Sequence, residues 1–130
     1  MPKGEPRRHE ILNLYRDLFV EKERDHGGTG ALLAHRAYSR EEASADTPAG
    51  VAFIDVVILP PGVSIGLHTH GDDAETYIIL RGAGLMHRDG GEFRVETGDV
   101  VHNRPYGTHG LVNDGEEELH LLVFEIAPAA

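Results

Sequence analysis

From Gly50 onward the sequence leaves little room for anything but short strands. Val51 to Leu59 is almost unbroken in apolar and β-branched residues, interrupted only by Asp55, and Pro60-Pro61-Gly62 stops it. Further runs of the same kind follow at Ser64–His70, Glu75–Leu80, Gly84–His87, Glu92–Glu96, Val100–Asn103, Thr108–Asn113 and Leu119–Ile126. Between them lie tight-turn residues: Gly71-Asp-Asp, Arg81-Gly, Asp89-Gly-Gly, Gly98-Asp and Asn113-Asp-Gly. Asp89-Gly90 is the strongest hairpin signal, because a two-residue turn between twisted strands needs left-handed backbone at both positions. Roughly seven or eight short strands at intervals of about 8–12 residues, with no helices between them, predict an antiparallel sandwich or barrel. Closing such a sheet hides its edges and gives one end a pocket into which side chains converge.

At 130 residues and 14.2 kDa the chain holds one domain with a sizeable core. Residues 1–30 are expected to form an N-terminal arm able to pack on a partner subunit, and residues 31–130 the barrel. The absence of Cys excludes disulfides, thiolate catalysis, Cys-based zinc sites and iron–sulfur clusters. A formal charge of −10 and a pI near 5.2 argue against a nucleic-acid partner, since such a surface would not displace counterions from phosphate. No apolar run approaches the roughly 20 residues needed to cross a bilayer, and the charged start Met-Pro-Lys-Gly-Glu-Pro-Arg-Arg has no secretory apolar stretch behind it. A soluble cytoplasmic protein without a membrane partner is expected.

Before Gly50 the pattern is less decisive. Ile11, Leu14, Tyr15, Leu18 and Phe19 fall on one helical stripe, while a short strand at residues 11–14 followed by a turn at residues 15–17 fits the same residues. Either reading buries an apolar face. Residues 25–30 form a turn rather than a phosphate cradle, because the glycines at 27, 28 and 30 lack the accompanying lysine. Ala31 to Tyr38 reads as a strand. Ser39 can cap a single helical turn with Glu42 three residues on, ahead of a loop over residues 43–50.

The chemistry lies in two segments. His68 and His70 are two apart, so on a strand they share a face. Glu75 follows a Gly-Asp-Asp stretch able to turn the chain into the next strand, and His109 stands in a strand of its own. Three imidazoles and a carboxylate are donors suited to a divalent transition metal.

These segments resemble the two signature motifs of the cupin superfamily, whose fold is a small double-stranded β-helix, or jelly-roll barrel. Gly62, His68, His70, Glu75 and Gly82 stand at the spacing of the first motif, and Gly98, His109 and Asn113 at that of the second. Pro105 and Gly107 each fall one position later than the usual pattern, so the turn before His109 is expected to differ in shape. The resemblance covers about residues 50–126. It implies that His68, His70, Glu75 and His109 converge on one metal near the barrel axis, with manganese, iron, nickel, cobalt or zinc as the ion. It also implies a homodimer and, as chemistry, a metal-dependent enzyme acting on a small oxygen-rich molecule. A dicarboxylate, a sugar, or an oxidisable diketone or phenol fits, with decarboxylase, oxidase, dioxygenase or isomerase activity. The alternatives are a non-catalytic module that binds or senses a small anion or sugar at the same metal, and a structural protein with a passive ion.

Among the remaining residues, Tyr77 is two from Glu75 and should share its inward face, as a ligand contact or as core. Arg104 and Tyr106 flank Pro105 at what is expected to be the rim, where Arg104 can pair with an anionic substrate. Ile65, Leu67, Ile79, Leu111, Phe53 and Phe124 are expected to give the site an apolar wall. Asp72 and Asp73 read as solvated turn residues, and Asp99 as a cap on backbone N–H groups. His9, His26, His35, His87, His102 and His120 read as surface or hydrogen-bonded histidines.

Overall fold

The computed structural model describes residues 11–16, 18–40 and 46–128. Among the described residues ten strands make two antiparallel sheets: β1 (Val20–Glu23), β2 (Ala31–Ser39), β3 (Gly50–Leu59), β4 (Ser64–Thr69), β5 (Ala74–Arg81), β6 (Ala83–Arg88), β7 (Gly91–Glu96), β8 (Val100–Asn103), β9 (Thr108–Val112) and β10 (Leu119–Ala127). The larger sheet runs β1-β2-β3-β10-β5-β8 and the smaller β4-β9-β6-β7. Their facing sides enclose one apolar core, and the architecture is the all-β jelly-roll barrel expected.

Register explains why one end of the barrel is apolar and the other polar. Side chains alternate across a strand, so each cross-strand row faces either in or out. Leu119 pairs with Leu59, and the next inward row is Val57, Leu121 and Ile79. Above it lie Asp55, Val123, Tyr77 and Val101, with Arg36 opposite Asp55. The row after that holds Phe53, Glu125, Glu75 and Asn103. The interior therefore passes from buried aliphatics to ionisable groups within about three rows, or roughly 20 Å of strand.

Local turn chemistry fixes the connections. Asp89 (φ 49°) and Gly90 (φ 84°) both take left-handed backbone between β6 and β7, as a primed hairpin turn requires. A tight turn precedes His109. The Gly107 N–H donates to the Arg104 carbonyl at 3.0 Å, with Pro105 and then Tyr106 at the corner, Tyr106 at φ 62°. Tyr106 so occupies a left-handed position that glycine or asparagine usually fills.

Among the described residues there is no α-helix: residues 14–16 form a turn and the first strand comes at Val20–Glu23, paired with β2 of the same chain. The helical reading of the arm is thus replaced by a strand later than the alternative placed it. Tyr15 and Phe19 still make tilted ring contacts with His120 and His35, although Tyr15 remains exposed. The helical turn expected beyond Ser39 falls on residues 41–45, outside the described residues, as does the tail with His9.

Candidate metal centre

His68 reaches the barrel interior through an irregularity. The pairing of β4 with β9 shifts register between Ile65 and His68, so both face inward although three positions separate them. Leu67, between them, turns outward and is 62% exposed, so it forms no part of an apolar wall. Phe124 alternates outward from Val123 and Glu125 and is likewise no wall residue, whereas Ile79 and Leu111 lie in the core and Phe53 and Ile65 line the cavity. At the bulge, Gly66 packs against the 3₁₀ turn Asp25–Gly27 so closely that a Cβ there would lie 2.1 Å from the His26 carbonyl oxygen.

The structure brings His68, His70, Glu75 and His109 together, with donor atoms all within 4.8 Å of one another. Glu75 and His109 are buried and the other two half-buried. His109 Nε2 lies 3.1 Å, and His70 Nε2 3.5 Å, from Glu75 Oε1. The outer nitrogens set the tautomers. His68 Nδ1–H donates to the Gly66 carbonyl at 2.8 Å, and His70 Nδ1–H donates to the Asp73 carboxylate at 2.9 Å. Both rings therefore present an Nε2 lone pair inward. Burial and the neighbouring histidines hold the His68 pKa below its usual value against the Gly66 carbonyl, which favours the neutral donor form.

These donors fit a cation. His70 Nε2 is buried and has no hydrogen-bond partner among the described residues. A lone pair facing a carboxylate oxygen is repulsive unless a proton or metal ion lies between them. A His₃Glu donor set of this kind suits a divalent transition ion with ligand positions to spare.

The cluster opens onto a cavity of about 130 Å³, below the size usual for drug-sized ligands and suited to a small molecule. His68, Glu75 and Tyr77 line it together with Lys22, Asp25, His26, Arg36 and Asp55, among others. Tyr77 is 2% exposed, its ring edge-on to His109 at 5.2 Å. Burial and the Glu75 carboxylate push its pKa well up, so the hydroxyl remains a donor. Arg104 and Tyr106 are exposed on their turn and are not among the residues lining the cavity.

Other residues at the site carried weak signals in the sequence. Arg36 makes a two-point fork with Asp55, at 2.8 and 3.1 Å, and lies over the Phe53 ring at 4.1 Å. Its inward direction follows from the strand register, which composition does not reveal. His26 stacks on His68 at 3.7 Å with the planes 11° apart, in left-handed backbone at φ 51°. Asp73 is a partner of His70 rather than a solvated residue, and the spacing of three is the one local hint of it. It also faces Glu125: burial, then the Asp73 carboxyl, pushes the Glu125 pKa up to about 8, while the hydrogen bond from Glu125 lowers that of Asp73. Asp99 does cap backbone, accepting from the Glu96 N–H at 2.7 Å.

Residues 55–125 match the cupin domain. The chain belongs to the cupin family. The four donors and Tyr77 lie within that segment, and Lys22, His26 and Arg36 precede it. This cupin is 39% identical over 64 residues to an oxalate-binding protein of Thermotoga maritima, covering 49% of this chain and 53% of the relative. The chain spans about half the length of the curated relatives it matches. The crystal structure of a predicted oxalate decarboxylase from Thermotoga maritima is similar with a TM-score of 0.81 at 27% identity, over 89% of this chain and 97% of that one. A putative sugar phosphate isomerase from Acidithiobacillus ferrooxidans is similar over 58% of this chain and 49% of its own, with 26% identity and a TM-score of 0.55.

Proposed function

We propose that this cupin holds a divalent transition metal on His68, His70, Glu75 and His109 and is a metal-dependent enzyme acting on a small oxygen-rich anion of the dicarboxylate class. The observation that carries this reading is the unpartnered, inward-facing Nε2 of His70 beside the carboxylate of Glu75, a residue that lines a small cavity. The ion, one of manganese, iron, cobalt, nickel or zinc, supplies Lewis-acid attachment for ligand oxygens. The chain's own residues do the rest. Tyr77 donates a hydrogen bond from the cavity wall, and the Arg36 guanidinium, held by Asp55, meets the negative charge of the ligand. The likeness to an oxalate-binding protein supports an anionic ligand.

That same relative's name favours a second reading, metal-dependent binding of the anion without turnover. Elemental analysis of protein purified without added metal, followed by oxalate and malonate consumption under air and under nitrogen, separates the two. Near-stoichiometric metal that is lost in His68→Ala, with turnover, is expected. Metal-dependent oxalate binding without turnover establishes the binding module, and absence of metal under every loading condition overturns both.

We also infer a homodimer that covers the apolar side chains of the arm. Ile11, Leu12 and Leu18 are 56%, 54% and 92% exposed in the single chain, a concentration that burial against a second copy would relieve.

A further inference from the structure

Two buried asparagines stand in this barrel, and only one is satisfied by the fold. Asn113 is fully buried; its Nδ2 donates to the carbonyls of Leu59 and Glu117, each at 2.8 Å, and its Oδ1 accepts from the Gly115 N–H at 3.1 Å. Asn103 is 2% exposed, yet neither its Oδ1 nor its Nδ2 has a hydrogen-bond partner among the described residues. Burying an amide unpaired costs stability, and an aliphatic side chain of the same shape avoids that cost. On β8 the alternation is strict: Val100 and His102 are exposed while Val101 joins the core and Asn103 is buried. Nothing in the packing calls for an amide where Val101, two residues earlier, is aliphatic.

Its position supplies the reason. Asn103 is the cross-strand partner of Glu75, and directly opposed residues of an antiparallel pair have Cβ atoms about 4.5–5.5 Å apart on the same face. Glu75 meets the ring nitrogens of both His70 and His109 through Oε1. A carboxylate ligand that can rotate is a poor one, and residues that hydrogen-bond metal-ligating groups fix their orientation. Tyr77, two residues along the same strand, flanks the carboxylate on the cavity side; Asn103 is not among the residues that line the cavity.

We propose that Asn103 is a positioning residue of the metal centre: its Nδ2, which makes no hydrogen bond to Glu75 in this arrangement of side chains, donates to the Glu75 carboxylate across the strand pair once an ion is bound, so that the carboxylate is held in one orientation toward the ion. The inference rests on the metal reading above. It predicts opposite effects on two measurements. Asn103→Leu removes the unpaired amide, so the metal-free protein, prepared with chelator, melts about 2–6 °C higher than wild type. The same variant binds Co²⁺ about 10–100-fold more weakly, with a changed visible absorption spectrum reporting altered ligation. Asn103→Ala cannot overpack the site and gives the same loss of affinity should the leucine not fit.

Folded variants that bind Co²⁺ with wild-type affinity and spectrum overturn the assignment. So does an Asn103→Leu protein that folds but melts lower than wild type without metal, since the amide would then be structural. If wild type itself takes up no Co²⁺, the metal reading fails along with this one; if wild type binds and the variants bind equally, only this one fails.

Discussion

Glu125 shows how far a single residue's environment can depart from its type. It faces inward beside Glu75 in the register and shares a hydrogen bond with Asp73, which in turn accepts from His70. Its pKa is pushed up to about 8, so between its unfolded value near 4.5 and about 8 the folded state keeps a proton that the unfolded state releases. Stability from this group is therefore fully present below about pH 4.5 and is lost as pH rises through about 8. Asp73 has the opposite sign: its lowered pKa contributes stability that is lost as pH falls through the acid range. Glu125→Gln is expected to raise the melting temperature of the chelator-treated protein at pH 8.5 and leave it nearly unchanged at pH 4.5. Melting curves at both pH values check this, and an equal shift at both would rule out the shared proton. Three of the four candidate donors were legible at this scale, because a His-x-His pair followed by Glu is a local pattern, whereas His109 rested on the second motif. Glu125 and Arg36 were not, since their roles depend on what lies across the sheet.

Strands and turns were the most legible features of the sequence, and the exceptions are instructive. Runs of β-branched residues closed by Gly, Pro or Asp set their own limits, so β3 and β6 to β10 stand where the pattern placed them. The bulge in β4 was invisible to a strict alternation. It reverses Leu67 and brings Ile65 and His68 to the same side, and it depends on Gly66 meeting the 25–27 turn, more than thirty residues away in the chain. Gly66→Ala is expected to cost about 1–3 kcal/mol by overpacking and to weaken divalent-metal binding, because His68 donates to the Gly66 carbonyl itself. Denaturant unfolding and metal titration of the variant measure the two effects. A stable variant with unchanged affinity would show that the turn contact is not what sets His68.

For the whole molecule, the polar end of the barrel is a property of closure. The arm contributes directly: Lys22 lies on β1, opposite Leu32, and lines the cavity together with His26 of the following turn. The proposed dimer would bury the exposed Ile11, Leu12 and Leu18 beside it. Sedimentation at micromolar concentration is expected to give twice the 14.2 kDa chain mass, and Leu18→Asp to shift the equilibrium toward monomer. A wild-type monomer at that concentration would refute the homodimer.

By itself the sequence determined the all-β class, most strand boundaries and the donors His68, His70 and Glu75, because alternation, turn chemistry and short spacings act over a few neighbouring residues; His109 was legible through the second motif. The tertiary structure decided which other side chains share the site. Arg36, His26 and Asn103 come to the donors through cross-strand register, a bulge and a packed turn. Those are contacts between distant segments, and a one-residue slip in any of them would send a different set of side chains inward.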